Sequence, residues 1–391
     1  MFTSTRWRLI LAHCWRDHLW YGVSGTPCKV EAIEKFKNSI CAKVPSSECR
    51  PTSSFASINS WKQIYGAPIA ARSHFIKGEL YEIYGAGIRT GCIDSERDPK
   101  VHAEKKKNLT PTFSTKALQA QDPIIQRHID RFGLDVVKWY EMIAFDILGE
   151  MAFGESFHCV EREEHHFWIK LILDHLLEIT LYAIVIQDTV EQKLKSIIPS
   201  DFRGNDMLTW SRRLSSTSSR QDFFTDLAEK VKSGQIDKEE MTAHASTLII
   251  AGGETVAICL AAATYYLLTT PAAYARLKRE IRGRYQSYEE IDASSALQLD
   301  YLQGMINEAL RILPPSSQGF PRISPGLEID GYYVPSGTEV YTSAWTVTHD
   351  PQYFKDPETF RPGHWRDPKC TDQKEASRPF SLGLRACIGR K

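Results

Sequence analysis

Near the end of the chain, Phe380-Ser381-Leu382-Gly383-Leu384-Arg385-Ala386-Cys387-Ile388-Gly389 sets an aromatic ring, an arginine, a cysteine and two glycines at fixed intervals. The pattern F-x-x-G-x-R-x-C-x-G fixes five positions. Average residue usage puts a chance match at on the order of 10⁻⁴ in a chain of this length. The chemistry it suits is thiolate ligation of a metal in a flat macrocycle. A free cysteine has a pKa of about 8.5, which a cationic metal or a helix N-terminus lowers. Gly383 and Gly389 allow a tight turn and close approach of the backbone to a flat group. Arg385 suits a carboxylate on the macrocycle's edge, and Phe380 its face beside the sulfur. A thiolate pushes electron density onto iron and favours O–O cleavage. The alternative is a structural cysteine in a glycine-rich turn.

A second group, Ala251-Gly252-Gly253-Glu254-Thr255, lies inside the longest apolar stretch, residues 248–268. Glycine in mid-helix costs about 1 kcal/mol relative to alanine, so the pair asks for a reason. Room for a ligand against the helix is one, and helix–helix contact is the other. Oxygen activation needs protons, and an acid–alcohol pair such as Glu254 and Thr255 can relay them. A third group is Glu308-Ala309-Leu310-Arg311. E-x-x-R arises about once by chance in such a chain, and Glu358–Arg361 and Glu375–Arg378 match it too. Only 308–311 falls on a clear helix, where positions i and i+3 share a face. The competing reading is a solvated surface ion pair that contributes little.

The elements that must hold these groups are mostly helical. Helices are expected over 112–120, 123–153, 164–186, 221–232, 238–269, 272–284 and 299–313, the last stopped by Pro314-Pro315. Residues 199–219 read as a surface loop. Residues 327–335 read as a hairpin turning at Asp330-Gly331, and 338–342 as a strand. Residues 349–379, with three Asp-Pro steps, read as a long turn-rich coil of the kind that wraps a functional site. The fold class is therefore mainly α with a small β part towards the C-terminal end, in one domain spanning 53–391. Residues 1–52 form an atypical segment carrying four of the nine cysteines.

Composition narrows the function classes. Forty-eight basic residues balance forty-eight acidic ones, so no net field points to nucleic acid or an anionic membrane. The nine cysteines show no C-x-x-C pair, which argues against zinc and against a disulfide framework and leaves Cys387 free to ligate. No anchor is legible at the start, and the 248–268 stretch is interrupted by Glu254. A buried central helix is the better reading of that stretch.

The three groups, in this order and spacing, resemble the cytochrome P450 family over residues 53–391. Residues 146–157 and 57–66 are similar to fungal secondary-metabolism members. The resemblance implies haem b on Cys387, oxygen activation by Thr255 and Glu254, and a brace of Glu308 and Arg311 behind the coil. It also implies electrons from NADPH through a separate cytochrome P450 reductase, and a small lipophilic substrate with O2. A monomer on the cytosolic face of the endoplasmic reticulum membrane completes the expectation. Arg322 matches an arginine that meets a haem propionate, and Phe113-Ser114 closes the segment above the propionates.

Two departures stand out. Where relatives carry His or Trp and then Arg four residues on, this chain has His102 and Lys106, and lysine lacks the guanidinium fork. Where they carry Pro-Glu-Arg-Trp, it has Pro362-Gly363-His364-Trp365, so His364 replaces the third member of the brace. Residues 1–52 lack the family's anchor and first strands, and relatives continue past Cys387 through a helix and a hairpin. The chain is therefore expected to be truncated at both ends. Two alternatives stay open: a truncated haem-thiolate protein of little activity, and a haem-thiolate isomerase or peroxygenase.

Overall fold

The computed structural model describes residues 52–67, 74–78, 81, 91–114, 116–117, 136–153, 156–166, 225–317 and 319–390. All of them belong to one compact unit, 52–172 with 198–391. The segment 1–51, most of the helix expected over 164–186 and the loop expected over 199–219 lie outside the described residues. Residues 164–166, where that helix was to begin, are irregular.

Helix α1 (Ile58–Tyr65) opens on a capping box in which Ser57 and Ser60 bond each other's backbone amides. Helix α2 (Pro99–Leu109) starts under Asp98, whose carboxylate accepts from the amides of Lys100 and Val101. A 3-10 turn, Thr110–Phe113, follows it. The helix expected from residue 112 therefore does not start there, because Pro111 and the extended Ser114 close off α2 instead. Next come α3 (Val136–Phe153), the short α4 (Cys159–Arg162) and α5 (Thr225–Lys232). Asp146 of α3 is buried and accepts from the amides of Cys159 and Val160 at 2.8 and 2.9 Å, which seats α4.

Helix α6 (Lys238–Thr269) has the bounds read from the sequence, from the Asp237 cap to Pro271. Among the described residues it alone is long and apolar enough to cross a membrane by length and composition. Its extensive contact with α3, and further contact with α8, reads as a central core helix. Helices α7 (Pro271–Arg284) and α8 (Asp300–Ile312) follow. Ala262, Ala263, Leu277, Tyr301, Met305 and Ala309 join α6, α7 and α8 in one core cluster.

The sheet corrects the sequence reading, which placed β structure only towards the C-terminal end. Strand β1 (Thr52–Phe55) pairs in parallel with β6 (Glu339–Thr342), and β2 (Ile76–Lys77) pairs antiparallel with β3 (Arg322–Ile323). The strand order is β1-β6-β3-β2. Such pairing, between partners 287 residues apart for β1 and β6 and 245–247 apart for β2 and β3, leaves no local pattern to read. The hairpin of β4 (Leu327–Ile329) and β5 (Tyr332–Val334) forms as expected, with Asp330 and Gly331 both at positive φ, 49° and 83°. Helix α9 (Ala344–Thr348) leads into the coil. Trp61, Val340, Val347 and Phe354 fill a second core cluster beneath it.

Candidate haem-thiolate site

The loop bearing Cys387 is held from three sides. Within it, the amide of Cys387 donates to Phe380 O at 2.9 Å, and Gly383–Arg385 forms a 3-10 turn. Gly383 sits at φ +67°, and a Cβ there would meet Tyr65 O at 2.4 Å. Its glycine therefore seats the loop on the end of α1, a closer constraint than approach to a flat group. At Gly389 the nearest atom to a Cβ would be the Cys387 sulfur, at 3.9 Å. Lys106 Nζ donates to Leu384 O at 2.8 Å and to Ala386 O at 3.1 Å. Arg385 donates to the carbonyls of Glu96 and Arg97, just ahead of α2.

Cys387 presents accessible surface, although enough protein surrounds its sulfur for desolvation to matter. That burial pushes the thiol pKa up, while the Gly389 amide and the Lys106 ammonium favour the thiolate.

His102, Lys106, Arg322 and Arg385 do come together, and a cation that sequence reasoning missed, Lys77, joins them. His102, Arg322 and Lys77 are buried. Arg322 donates to Tyr81 at 3.1 Å. Burial, then Arg385, Lys77, Lys106 and Arg322, drive His102 down to about 3. Burial lowers Lys77 to about 8 against the pull of Asp94, and burial with Arg322 lowers Arg385 to about 10. Burial is the largest cause at His102, Lys77 and Arg385 and neighbouring cations add to it, so an anion placed among them would relieve the repulsion. Lys77 left no signal because its strand is two residues long and its partners are distant in sequence.

Apolar side chains are left uncovered on the cysteine loop and on α6. Phe380 and Leu384 of the cysteine loop are 38% and 62% exposed, and Val256 of α6 is 49% exposed. A flat apolar group with acidic edge substituents suits both features, the bare apolar surface and the crowded cations. The residues present therefore fit haem.

The two glycines of α6 correct the reading that they make room for a ligand. A Cβ on Gly252 would meet Leu148 at 3.0 Å, and one on Gly253 would meet Phe145 at 2.9 Å. They let α3 pack closely on α6, which is the helix–helix contact weighed against ligand room. Thr255 is exposed and donates to Ala251 O one turn back. Burial, then the neighbouring Glu141, pushes the Glu254 carboxyl up. No hydrogen bond joins either residue to the cysteine loop among the described residues. The link runs through residues 91–97. Ile93 N donates to His244 of α6 at 3.0 Å, and Thr247 donates to the Cys92 sulfur at 3.0 Å. Thr255 stands eight residues, roughly 12 Å, further along α6.

The brace is fully assembled. Glu308 and Arg311 meet through two hydrogen bonds, at 2.8 and 2.9 Å, and both are buried. Arg311 also donates to the carbonyls of Thr348 and Pro357. His364 Nε2 lies 2.8 Å from Glu308, and the Trp365 indole donates to the same oxygen at 2.9 Å. The surface-pair reading of Glu308–Arg311 is therefore set aside. Asp372, which the sequence did not flag, meets His364 Nδ1 at 2.5 Å and Arg361 at 3.2 Å. Ligand atoms of His364, Cys370 and Asp372 lie within 4.8 Å of one another. Both ring nitrogens of His364 already face carboxylates, however, so the brace accounts for that cluster.

Residues 98–391 match the sequence profile described as cytochrome P450. The chain is similar to the cytochrome P450 monooxygenase ORF9 of Penicillium roqueforti, 51% identical over 86% of this chain and 70% of that protein. It is 46% identical to the cytochrome P450 monooxygenase BOT4 of Botryotinia fuckeliana, over 86% and 68% of the two chains. It is 34% identical to averantin hydroxylase of Dothistroma septosporum, over 74% and 60%.

Proposed function

The chain belongs to the cytochrome P450 family, and on that premise we propose that Cys387 is the axial ligand of its haem in the oxidation of a small lipophilic molecule. The chain is a fungal-type cytochrome P450 monooxygenase, and the family draws its electrons from a redox partner. Within the proposal the partner is an NADPH-dependent cytochrome P450 reductase, the chain acts as a monomer, and it works at the cytosolic face of the endoplasmic reticulum. Residues 53–391 are the monooxygenase domain. Hydroxylation is the step that one relative's name specifies.

The observation that carries the reading is the clasp on the cysteine loop. Lys106 and Arg385 fix its carbonyls and its approach to α2, on a loop whose cysteine is exposed. Haem bound there would supply the oxidising chemistry. Cys387 would donate its thiolate sulfur, with Lys106 and the Gly389 amide favouring that charge. His102, Arg322 and Arg385 would face the propionates, and Phe380 the ring beside the sulfur. Glu254, whose carboxyl holds its proton more tightly than usual, would pass a proton to Thr255 Oγ1, and the hydroxyl would present it to the reacting oxygen. Glu308, Arg311 and His364 would fix the coil before the loop.

The test is the absorption spectrum of the reduced, carbon-monoxide-bound protein. Cys387→Ser is expected to abolish the strongly red-shifted Soret band and Cys370→Ser to keep it. Retention of the band in both variants would overturn the ligand assignment.

A further inference from the structure

Residues 91–97 form no regular element, yet three buried side chains from outside the turn, Lys77, Lys105 and His244, converge on them. From α6, His244 Nδ1 accepts from the Ile93 amide at 3.0 Å, and Thr247 Oγ1 donates to the Cys92 sulfur at 3.0 Å. On the other side Arg385, two residues before Cys387, donates to Glu96 O at 2.5 Å and to Arg97 O at 2.8 Å. We propose that this turn is a spacer that sets the distance between α6 and the cysteine loop, with His244 and Thr247 as positioning residues for Cys387. The proposal rests on the haem-thiolate reading for its purpose, though not for its geometry.

A spacer has to be stiff, and this turn is braced within itself and from β2 and α2. Ser95 Oγ accepts from the Cys92 amide at 2.8 Å, and the Ser95 amide returns to the Cys92 sulfur at 3.3 Å. Glu96 N donates to Cys92 O at 2.9 Å, and Cys92 itself is fully buried. Lys77 Nζ donates to Ile93 O at 3.3 Å and to Asp94 O. Lys105 Nζ donates to Gly91 O, with the Glu96 carboxylate 3.2 Å away as its counter-ion. Arg97 Nε donates in turn to Lys77 O at 3.1 Å. A buried ammonium is costly unless its donors are matched, and two of them direct donors at the carbonyls of this single turn.

Anchoring a loop would need only contacts to its neighbours in sequence. The connections run instead between two elements with separate chemical roles. Helix α6 carries Glu254 and Thr255, and the loop of Arg385 carries Cys387. On the haem-thiolate reading the sulfur and the Thr255 hydroxyl serve opposite faces of one flat group, so the gap between their elements has to match it. Such groups need placement to within about 0.5 Å. Residue 97 also leads directly into Asp98, the cap of α2, so the same turn fixes the start of the helix that carries His102 and Lys106. His244 suits a fixed tie. Its Nδ1 accepts from Ile93, which leaves the ring proton on Nε2, 3.3 Å from Glu240 Oε1.

The experiment follows amide hydrogen exchange in the full chain, with and without haem, in H244L, H244N, T247V and Y140F. The last variant removes a different tie to α6, since the Tyr140 and Thr264 hydroxyls are 2.7 Å apart and avoid the turn. Peptides spanning 91–97 and 380–387 are read beside the fraction of reduced protein in the red-shifted carbon-monoxide band. H244L and T247V are expected to speed exchange in both peptides roughly fivefold, the effect of one lost hydrogen bond, and to lower the band fraction. H244N keeps an acceptor for the Ile93 amide and should restore wild-type values. Y140F should leave both peptides and the band unchanged even where it lowers the unfolding midpoint. Faster exchange in 91–97 alone, no change in either peptide, or equal acceleration by Y140F would overturn the proposal. T247V keeps the shape of the side chain, so it decides the question if H244L does not fold. Exchange in the haem-free chain needs no cofactor, so the expected pattern with no band in any protein would count against the haem reading alone.

Discussion

Thr255 is exposed on α6, and its hydroxyl hydrogen is directed to Ala251 O, which leaves the oxygen free to accept a proton. Thr255→Ala is therefore expected to fold and to bind haem and substrate while sending reductant to peroxide or water. Product formed per reductant consumed should fall several-fold, and an unchanged yield would remove Thr255 from the relay. Ser381, six positions before the cysteine, is strained. It sits at φ 56°, a left-handed conformation that is costly for residues with a Cβ, and its buried hydroxyl has no hydrogen-bond partner. Ser381→Gly is expected to stabilise the protein by about 1 kcal/mol, read as a raised thermal unfolding midpoint. A lowered midpoint would show that the serine holds the loop by some other means.

At the scale of elements, close approach depends on two glycines. Gly253 brings α6 against the buried ring of Phe145 on α3. Gly253→Val should force these helices apart and cost about 1–3 kcal/mol, with a matching fall in the unfolding midpoint. If glycine served only to admit a ligand, stability would hold and ligand binding alone would change. Gly383 carries the second contact, at positive φ and against the carbonyl of Tyr65. Gly383→Ala is expected to unseat the cysteine loop, so that haem occupancy falls together with the fraction of thiolate band. Full occupancy with an unshifted yield of the band would separate the loop's seat on α1 from its role in ligation.

For the whole molecule, the buried titratable groups set how stability depends on pH. His102 and His349 are held near 3 and 4 by burial, followed for His102 by the surrounding cations. An unfolded histidine titrates at about 6.5, so as pH falls from there the unfolded chain takes up protons first and the haem-free fold loses stability. Glu308 and Asp372, both held near 2, extend that loss to lower pH, from their ordinary values near 4.5 and 3.8. Thermal midpoints of the haem-free protein are therefore expected to drop continuously below about pH 6.5. Haem should blunt the first part of the drop, because its carboxylates offset the charge that His102 would acquire. Equal slopes with and without haem would place the propionates elsewhere.

Much of the site was legible because its residues lie close together in sequence. The cysteine motif spans ten positions, Glu308 and Arg311 are one helical turn apart, and α6 kept its bounds because Asp237 and Pro271 end it by local rules. Short-range chemistry of this kind needs no partner from elsewhere. Assembly across the chain was decided only in three dimensions. Lys77 enters the cation cluster through a two-residue strand, and β1 finds β6 nearly 290 residues later. Asp372 completes the brace from a coil with no period to betray it. The glycines of α6 show the same division. Their cost in a helix could be read from sequence, but that Leu148 and Phe145 are the reason for it depends on how two helices cross, and packing of that kind is a property of the folded pair.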